Sequence, residues 1–306
     1  MTSYLFAWLL FLGLALGAMA NVMLHNLTGG PWYPAVRAPL LAASRLVPLA
    51  ALLGIPVLVG MRSLYPIGES AWFAPWFFIA RSVFFLVLWS VFSLLLRNNR
   101  SRGLSAVGLI VYLFTVSIAA VDWIGSLMPR WYSTGFGLVV GTGQMLGAMA
   151  LAVAFAGFAE RRLPALEESR RQTFIDLGNL LLMYVLLWAY VAYMQFLIIW
   201  VGNLPREISW YVPRLQTGWA GLAIVLVVVH FFAPLVILLF RAAKRSPVLL
   251  GWLAAVLLAA HVADVYWLVA PSVRPSGFRI AWADPLALAA AVALWFFAWR
   301  PRHARP

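Results

Sequence analysis

Apolar residues run along this chain in blocks too long for strands, separated by short clusters rich in arginine, proline, glycine and tryptophan. The blocks predict helices over about 3–23, 38–60, 72–96, 104–127, 133–158, 174–201, 216–240, 247–269 and 283–299. Each of these roughly nine segments has close to the ~20 residues that cross ~30 Å of hydrocarbon, the last being the shortest. Lipid offers no partner to backbone N–H and C=O groups, so such segments must bond internally as α-helices. The expected fold is therefore an all-α integral membrane protein, one polytopic domain over residues 1–306. Within it a first helix group is expected over 1–158, a cytoplasmic loop over 159–173, and a second group over 174–306.

The most informative stretch is Trp188 to Arg214, WAYVAYMQFLIIWVGNLPREISWYVPR. Its first half continues an apolar helix that carries Trp188, Tyr190, Tyr193 and Gln195. Gly202 and Asn203 can adopt the left-handed conformation that closes a helix, and Pro205 cannot continue one. Beyond the stop, Arg206, Glu207, Trp210, Tyr211 and Arg214 form a charged, aromatic segment suited to the headgroup level of a bilayer. At the first helix, Gly29 and Gly30 predict a similar stop.

Composition supports this pattern. The 306 residues are 64% hydrophobic and 10% charged, with a mean hydropathy of +0.92, which excludes a soluble domain with a single core. Cysteine is absent, excluding disulfides, thiolate metal sites and cysteine-ligated clusters on this chain. The net charge of +13 does not point to nucleic acid, because the arginines lie mainly between apolar blocks, where they set topology. Arg37, the trio Arg97, Arg100 and Arg102, Arg161, Arg162, Arg170, Arg171, Arg241, Lys244, Arg245 and the tail arginines Arg300, Arg302 and Arg305 fall on one side. They outnumber Arg62, Arg130, Arg206, Arg214, Arg274 and Arg279 on the other. Basic residues favour the cytoplasm, so the C-terminus is expected inside and the N-terminus outside. The start of the chain has no basic n-region, and its first apolar block is expected to stay in the membrane.

Ionisable residues within apolar blocks cost at least ~2.5–3.5 kcal/mol at a helix centre, so they are expected to face other helices. They are Arg45, Arg81, Asp122, His230, His261 and Asp264. Arg81 is expected ~13 Å deep, paired with Asp122 or Asp264. The pair is either a structural ion pair or a proton-accepting carboxylate with its counterion. His261 and Asp264, three residues apart, share a helix face, where the carboxylate could orient the imidazole for proton transfer or simply fix packing. Asp122, His261, Asp264 and Arg81 are thus the candidates for proton handling. His230, four residues before Pro234, is expected to hydrogen-bond locally to a carbonyl that the proline frees, with a place on a proton-entry pathway as the alternative. His25, with Asn26 and Thr28, and Asp176, with Asn179, sit on the expected cytoplasmic side as candidates for proton uptake; Asp176 could instead serve its helix dipole. A haem between His230 and His261 is conceivable but lacks a second pair or a haem-family pattern, and no metal site is expected. Gly13 and Gly17 form a GxxxG packing motif.

Three stretches together resemble the NrfD-like membrane subunit of alternative complex III, the ActF-type subunit of quinol:cytochrome c oxidoreductases. They are YLFAWLLFLGLALGAMANVMLHNLTGGPW from Tyr4, FTVSIAAVDWIGSLMPRWYST from Phe114, and FLIIWVGNLPREISWY from Phe196. The resemblance covers nearly the whole chain in order and departs at the N-terminus, where family members carry one more helix. It implies two four-helix bundles plus an extra helix, to which the similar AAVDW and AAHVADVYW strings lend support as traces of a duplication. It also implies a bacterial inner-membrane location and a respiratory complex with an NrfD-like sibling, an iron–sulfur subunit, haem c subunits and a terminal oxidase. Within that complex the chain would contribute a proton pathway and could offer a quinone-binding surface, with no covalently or metal-bound cofactor of its own. The sibling is the better match for the quinol pocket. A stand-alone ion or solute transporter and a purely structural anchor are the alternatives from other classes.

Overall fold

A computed structural model describes residues 1–68, 70–97, 100–128, 131, 133–160 and 168–299. Arg130, the loop residues 161–167 and the tail from 300 lie outside the described residues. Helices account for the architecture, and no strand occurs among the described residues. In chain order the helices are α1 (Thr2–Thr28), α2 (Tyr33–Ser44), α3 (Val47–Leu53), α4 (Ile55–Val59), α5 (Pro75–Leu95), α6 (Arg102–Trp123), α7 (Phe136–Glu160) and α8 (Glu168–Gly202). There follow α9 (Pro205–Ile208), α10 (Val212–Leu215), α11 (Ala220–Val225), α12 (Ala233–Leu239), α13 (Arg241–Arg245), α14 (Pro247–Val273) and α15 (Ala283–Ala298). Eight segments are long and apolar enough to cross a membrane, and α15 is an apolar helix of 16 residues. The chain is a multi-pass helical membrane protein.

Local sequence explains where helices stop. α1 ends at Thr28 because Gly29 and Gly30 take φ of 72° and 118°, conformations that cost L-residues with a Cβ. α8 ends at Gly202, and Asn203 follows at φ 48°, so the expected stop falls where the sequence places it. The second apolar block is not one helix but α2, α3 and α4 in series. Pro39, Pro48 and Pro56 each lack an N–H, and the chain breaks near Arg45 and at Gly54.

Two helices form the centre. α1 is buried without interruption from Leu5 to Met23, the expected state of a helix that is apolar on every side. α7 lies beside it, and small residues bring the two backbones together. A Cβ on Gly17 would stand 2.0 Å from the Gln144 carbonyl oxygen, so the GxxxG motif marks close packing, as expected. α1 also packs on α2, α3, α6 and α15, while α5 packs on α3 and α6. α7 has its most extensive contact with α14 and also meets α8; the segment from α11 to α12 packs on both α8 and α14. α7 thus lies between the earlier helices α1, α2 and α6 and the later helices α8 and α14, with Gly137 against α6 and Gly147 and Gly157 against α14.

Candidate functional site

α14 presents His261 and Asp264 on one face, 2% and 3% exposed. That face meets two glycines of α7. A Cβ on Gly147 would come within 2.3 Å of His261 Cδ2, so the imidazole occupies space that only glycine leaves open. A Cβ on Gly143 would lie 3.6 Å from Asp264 Oδ2, His261 Cε1 and Trp188 Cδ1 alike. The histidine, the acid and the tryptophan therefore converge on one point of α7.

His230 approaches from the other side. It belongs to Leu226–Phe232, wound as a π-helix ahead of Pro234, a form that recurs at functional sites. Its ring centroid lies 4.2 Å from Trp188 and 6.4 Å from His261. All four imidazole nitrogens of His230 and His261 are buried without hydrogen-bond partners. The local bond expected for His230 is not made, because its ring points away from its own helix onto the Trp188 indole. Among the described residues no group of three or more His, Asp or Glu side chains comes together to hold a metal.

Beside this cluster lies a cavity of about 730 Å³ between α8, α10, the π-helical segment and α14. Its walls are mainly aromatic, from Trp188, Phe196, Trp210, Tyr211, Phe231 and Trp267, and the Asp264 carboxyl group stands among them. Tyr190 and Tyr193 also line it and are more than half exposed, so the cavity is open on the side of α8, an apolar helix long enough to cross a membrane. Two polar atoms on lining residues are buried without hydrogen-bond partners, Trp267 Nε1 and Gln195 Oε1, and the Trp188 indole faces the Asp264 carboxyl group as its hydrogen-bonding neighbour. No cation forms a salt bridge with Asp264 among the described residues.

In the segment after Asn203, Trp210 and Arg214 are buried against other parts of the chain, while Pro205–Ile208 has no buried residue. Trp210 is 1% exposed and stacks on Trp131 at 4.2 Å, while the Trp131 indole donates to the Glu207 carbonyl at 3.0 Å. Arg214 is fully buried, lies 3.4 Å over the Trp210 ring, and donates to the carbonyls of Trp210 and Leu268 and to Ser272 Oγ, each at 2.8 Å. These contacts pull the segment inward against α14. Burial pushes the Arg214 guanidinium down from its ordinary range and the Tyr211 phenol up to about 12, so the phenol stays protonated at neutral pH.

Arg81 and Asp122 form a separate, closed cluster. Arg81 Nε meets Asp122 Oδ2 at 2.6 Å, with side chains 7% and 1% exposed. The other carboxylate oxygen accepts from the Trp72 indole at 2.8 Å, and that ring lies 4.0 Å under the guanidinium. Arg81 is six residues past the start of α5, ~9 Å along the helix rather than the ~13 Å expected. The helix starts at Pro75 and not at Trp72, which instead folds back to cap the pair.

The chain matches no protein-family model and no curated protein. Its chemistry therefore rests on the side chains themselves. Of the candidates for proton entry, His230 lies beside the cavity against Trp188, whereas His25 and Asp176 do not line it. His25 stacks on Tyr33 at 3.8 Å with its Nδ1 unpartnered, and Asp176 accepts from Gln172 at 3.0 Å. Sequence reasoning passed over a buried polar chain between α1, α6, α7 and α8. In it Tyr184 donates to Asn21 Oδ1 at 2.5 Å, Asn21 donates to the Met145 carbonyl at 2.9 Å, and Tyr112 donates to Gln144 Oε1 at 2.9 Å. The only available signal was their polarity within apolar blocks. Hydropathy hides it, because a single neutral amide or phenol barely lowers the average of a block.

Proposed function

We propose that this chain is the proton-handling membrane subunit of a quinol-oxidising electron-transfer complex similar to alternative complex III. In this reading a quinol ring enters the cavity sideways from the bilayer, and Asp264 takes a proton from its hydroxyl as electrons leave to redox centres on partner subunits. His261 and His230 pass the proton inward. One observation carries the reading: an aromatic cavity open on the side of α8 and within the ~300–1,000 Å³ of ligand sites, with unsatisfied polar groups and a buried acid on its walls. The unpartnered indole N–H of Trp267 suits a carbonyl oxygen of a quinone, and the oxygen of Gln195 suits a quinol hydroxyl. Arg81 and Asp122, with every strong bond satisfied, serve as a structural latch.

The proposal includes nine membrane spans, with α15 as the ninth, arranged as two four-helix bundles plus one helix. The N-terminus lies outside and the C-terminus inside, in a bacterial inner membrane. Support for the duplication comes from parallel placement: Arg81 on the third span meets Asp122 on the fourth, as His230 on the seventh approaches His261 on the eighth. The partners in this reading are an NrfD-like sibling, an iron–sulfur subunit, haem c subunits and a terminal oxidase.

The test uses the complex purified with this chain in mild detergent. Co-purification with a multihaem cytochrome and an iron–sulfur protein is expected, and Asp264→Asn should slow quinol oxidation at least tenfold while leaving assembly intact. Unchanged turnover and proton release in Asp264→Asn would defeat the assignment. Solute or ion uptake by the chain alone in liposomes would favour a transporter instead.

A further inference from the structure

At the opposite end of α1 from Met1, a second cavity of about 280 Å³ lies between the ends of α1, α2 and α5. Its polar lining comes from Asn26, Tyr33, Arg37, Arg97 and Arg100. No described carboxylate lines this space, and none of the three arginines forms a salt bridge among the described residues. Arg37 Nε is buried without a hydrogen-bond partner. Tyr33 is stacked on the His25 ring, and Asn26 donates to Ser105 Oγ at 3.0 Å, so both lining side chains are anchored to α1 or α6. Like charges gathered around a shared space repel one another unless an anion joins them. A water occupies about 30 Å³ of liquid, so the space holds more than a few bridging waters.

We infer that this cavity binds the phosphate of an anionic phospholipid headgroup. Guanidinium groups match the oxygens of a phosphodiester in a planar fork. The location fits a lipid, because the arginines sit where apolar helices end, and Leu41 and Leu96 give the same cavity an apolar side. Basic pockets between membrane helices recognise such headgroups on the cytoplasmic side, which is the side the arginine distribution assigns to this end. A soluble phosphate would share the oxygen chemistry but not the acyl chains beside the leucines.

The full chain, or its complex, is reconstituted in nanodiscs of phosphatidylcholine with and without phosphatidylglycerol. It is then returned to mild detergent, and the retained lipid is counted by native mass spectrometry. Phosphatidylglycerol should be retained in preference to phosphatidylcholine, and Arg97→Gln and Arg100→Gln should each cut that preference roughly fivefold. Both positions are exposed, so the variants should fold, which an unchanged thermal melt verifies. Arg241→Gln, an exposed arginine outside the pocket, should leave retention unchanged. Equal loss in Arg241→Gln, or no loss in the pocket variants, overturns the site. Displacement of the lipid by millimolar inorganic phosphate overturns the lipid headgroup as its ligand.

Discussion

Gly147→Ala tests whether the α7–α14 contact depends on the His261 imidazole filling a space without a side chain. The added methyl would start 2.3 Å from His261 Cδ2 and 2.8 Å from both Cγ and Nε2, far inside contact distance. The ring cannot swing clear as a flexible side-chain tip could, since it is 2% exposed and wedged between helices. α7 and α14 must separate or the ring must leave its rotamer, and overpacking of this kind costs about 1–3 kcal/mol. In a His261→Ala background the same methyl meets no ring, so Gly147→Ala should cost little or even recover some packing. The two substitutions should therefore couple by about 1–3 kcal/mol, well above the ~0.5 kcal/mol scatter of independent sites. Reversible unfolding in mixed detergent and dodecyl sulfate micelles, followed by tryptophan fluorescence, would measure all four corners of the cycle. If the two effects simply add, the imidazole is not what Gly147 accommodates, and the geometry of the site is misread.

Other perturbations separate structural from functional polar groups. Arg81→Met should destabilise the chain by about 3–5 kcal/mol, because it strands the Asp122 carboxylate without its charge partner. The double variant Arg81→Met with Asp122→Leu should recover much of that loss in the same unfolding assay. Tyr184→Phe removes the donor to Asn21 Oδ1 and should cost about 0.6–2 kcal/mol, the range of hydrogen bonds between membrane helices. A larger effect on proton release than on stability would place Asn21 and Tyr184 on the proton route.

Much of this molecule was legible one residue at a time. The stops at Gly29 and at Asn203 follow from backbone conformations that few residues tolerate, and the burial of Asp122, His230, His261 and Asp264 follows from the cost of charge in hydrocarbon. The stretch from Trp188 to Arg214 drew attention as a polar, aromatic edge, yet its side chains wall a cavity. Trp210 and Arg214 looked like headgroup anchors because amphipathic side chains suit an interface and a buried stack equally well. The break of the second block into α2, α3 and α4 was foreshadowed by its prolines.

The amino-acid order by itself determined that the chain crosses a membrane as helices, where most of them end, and which charges must find shelter. Tertiary structure alone decided the pairings: Asp122 with Arg81, His261 against Gly147, His230 on Trp188, and Arg214 on Trp210 instead of at the surface. Hydropathy cannot make that choice, because a face that meets lipid and a face that meets another helix are equally apolar. What distinguishes them is the fit of glycines against side chains from distant spans, and that fit exists only once the helices are packed.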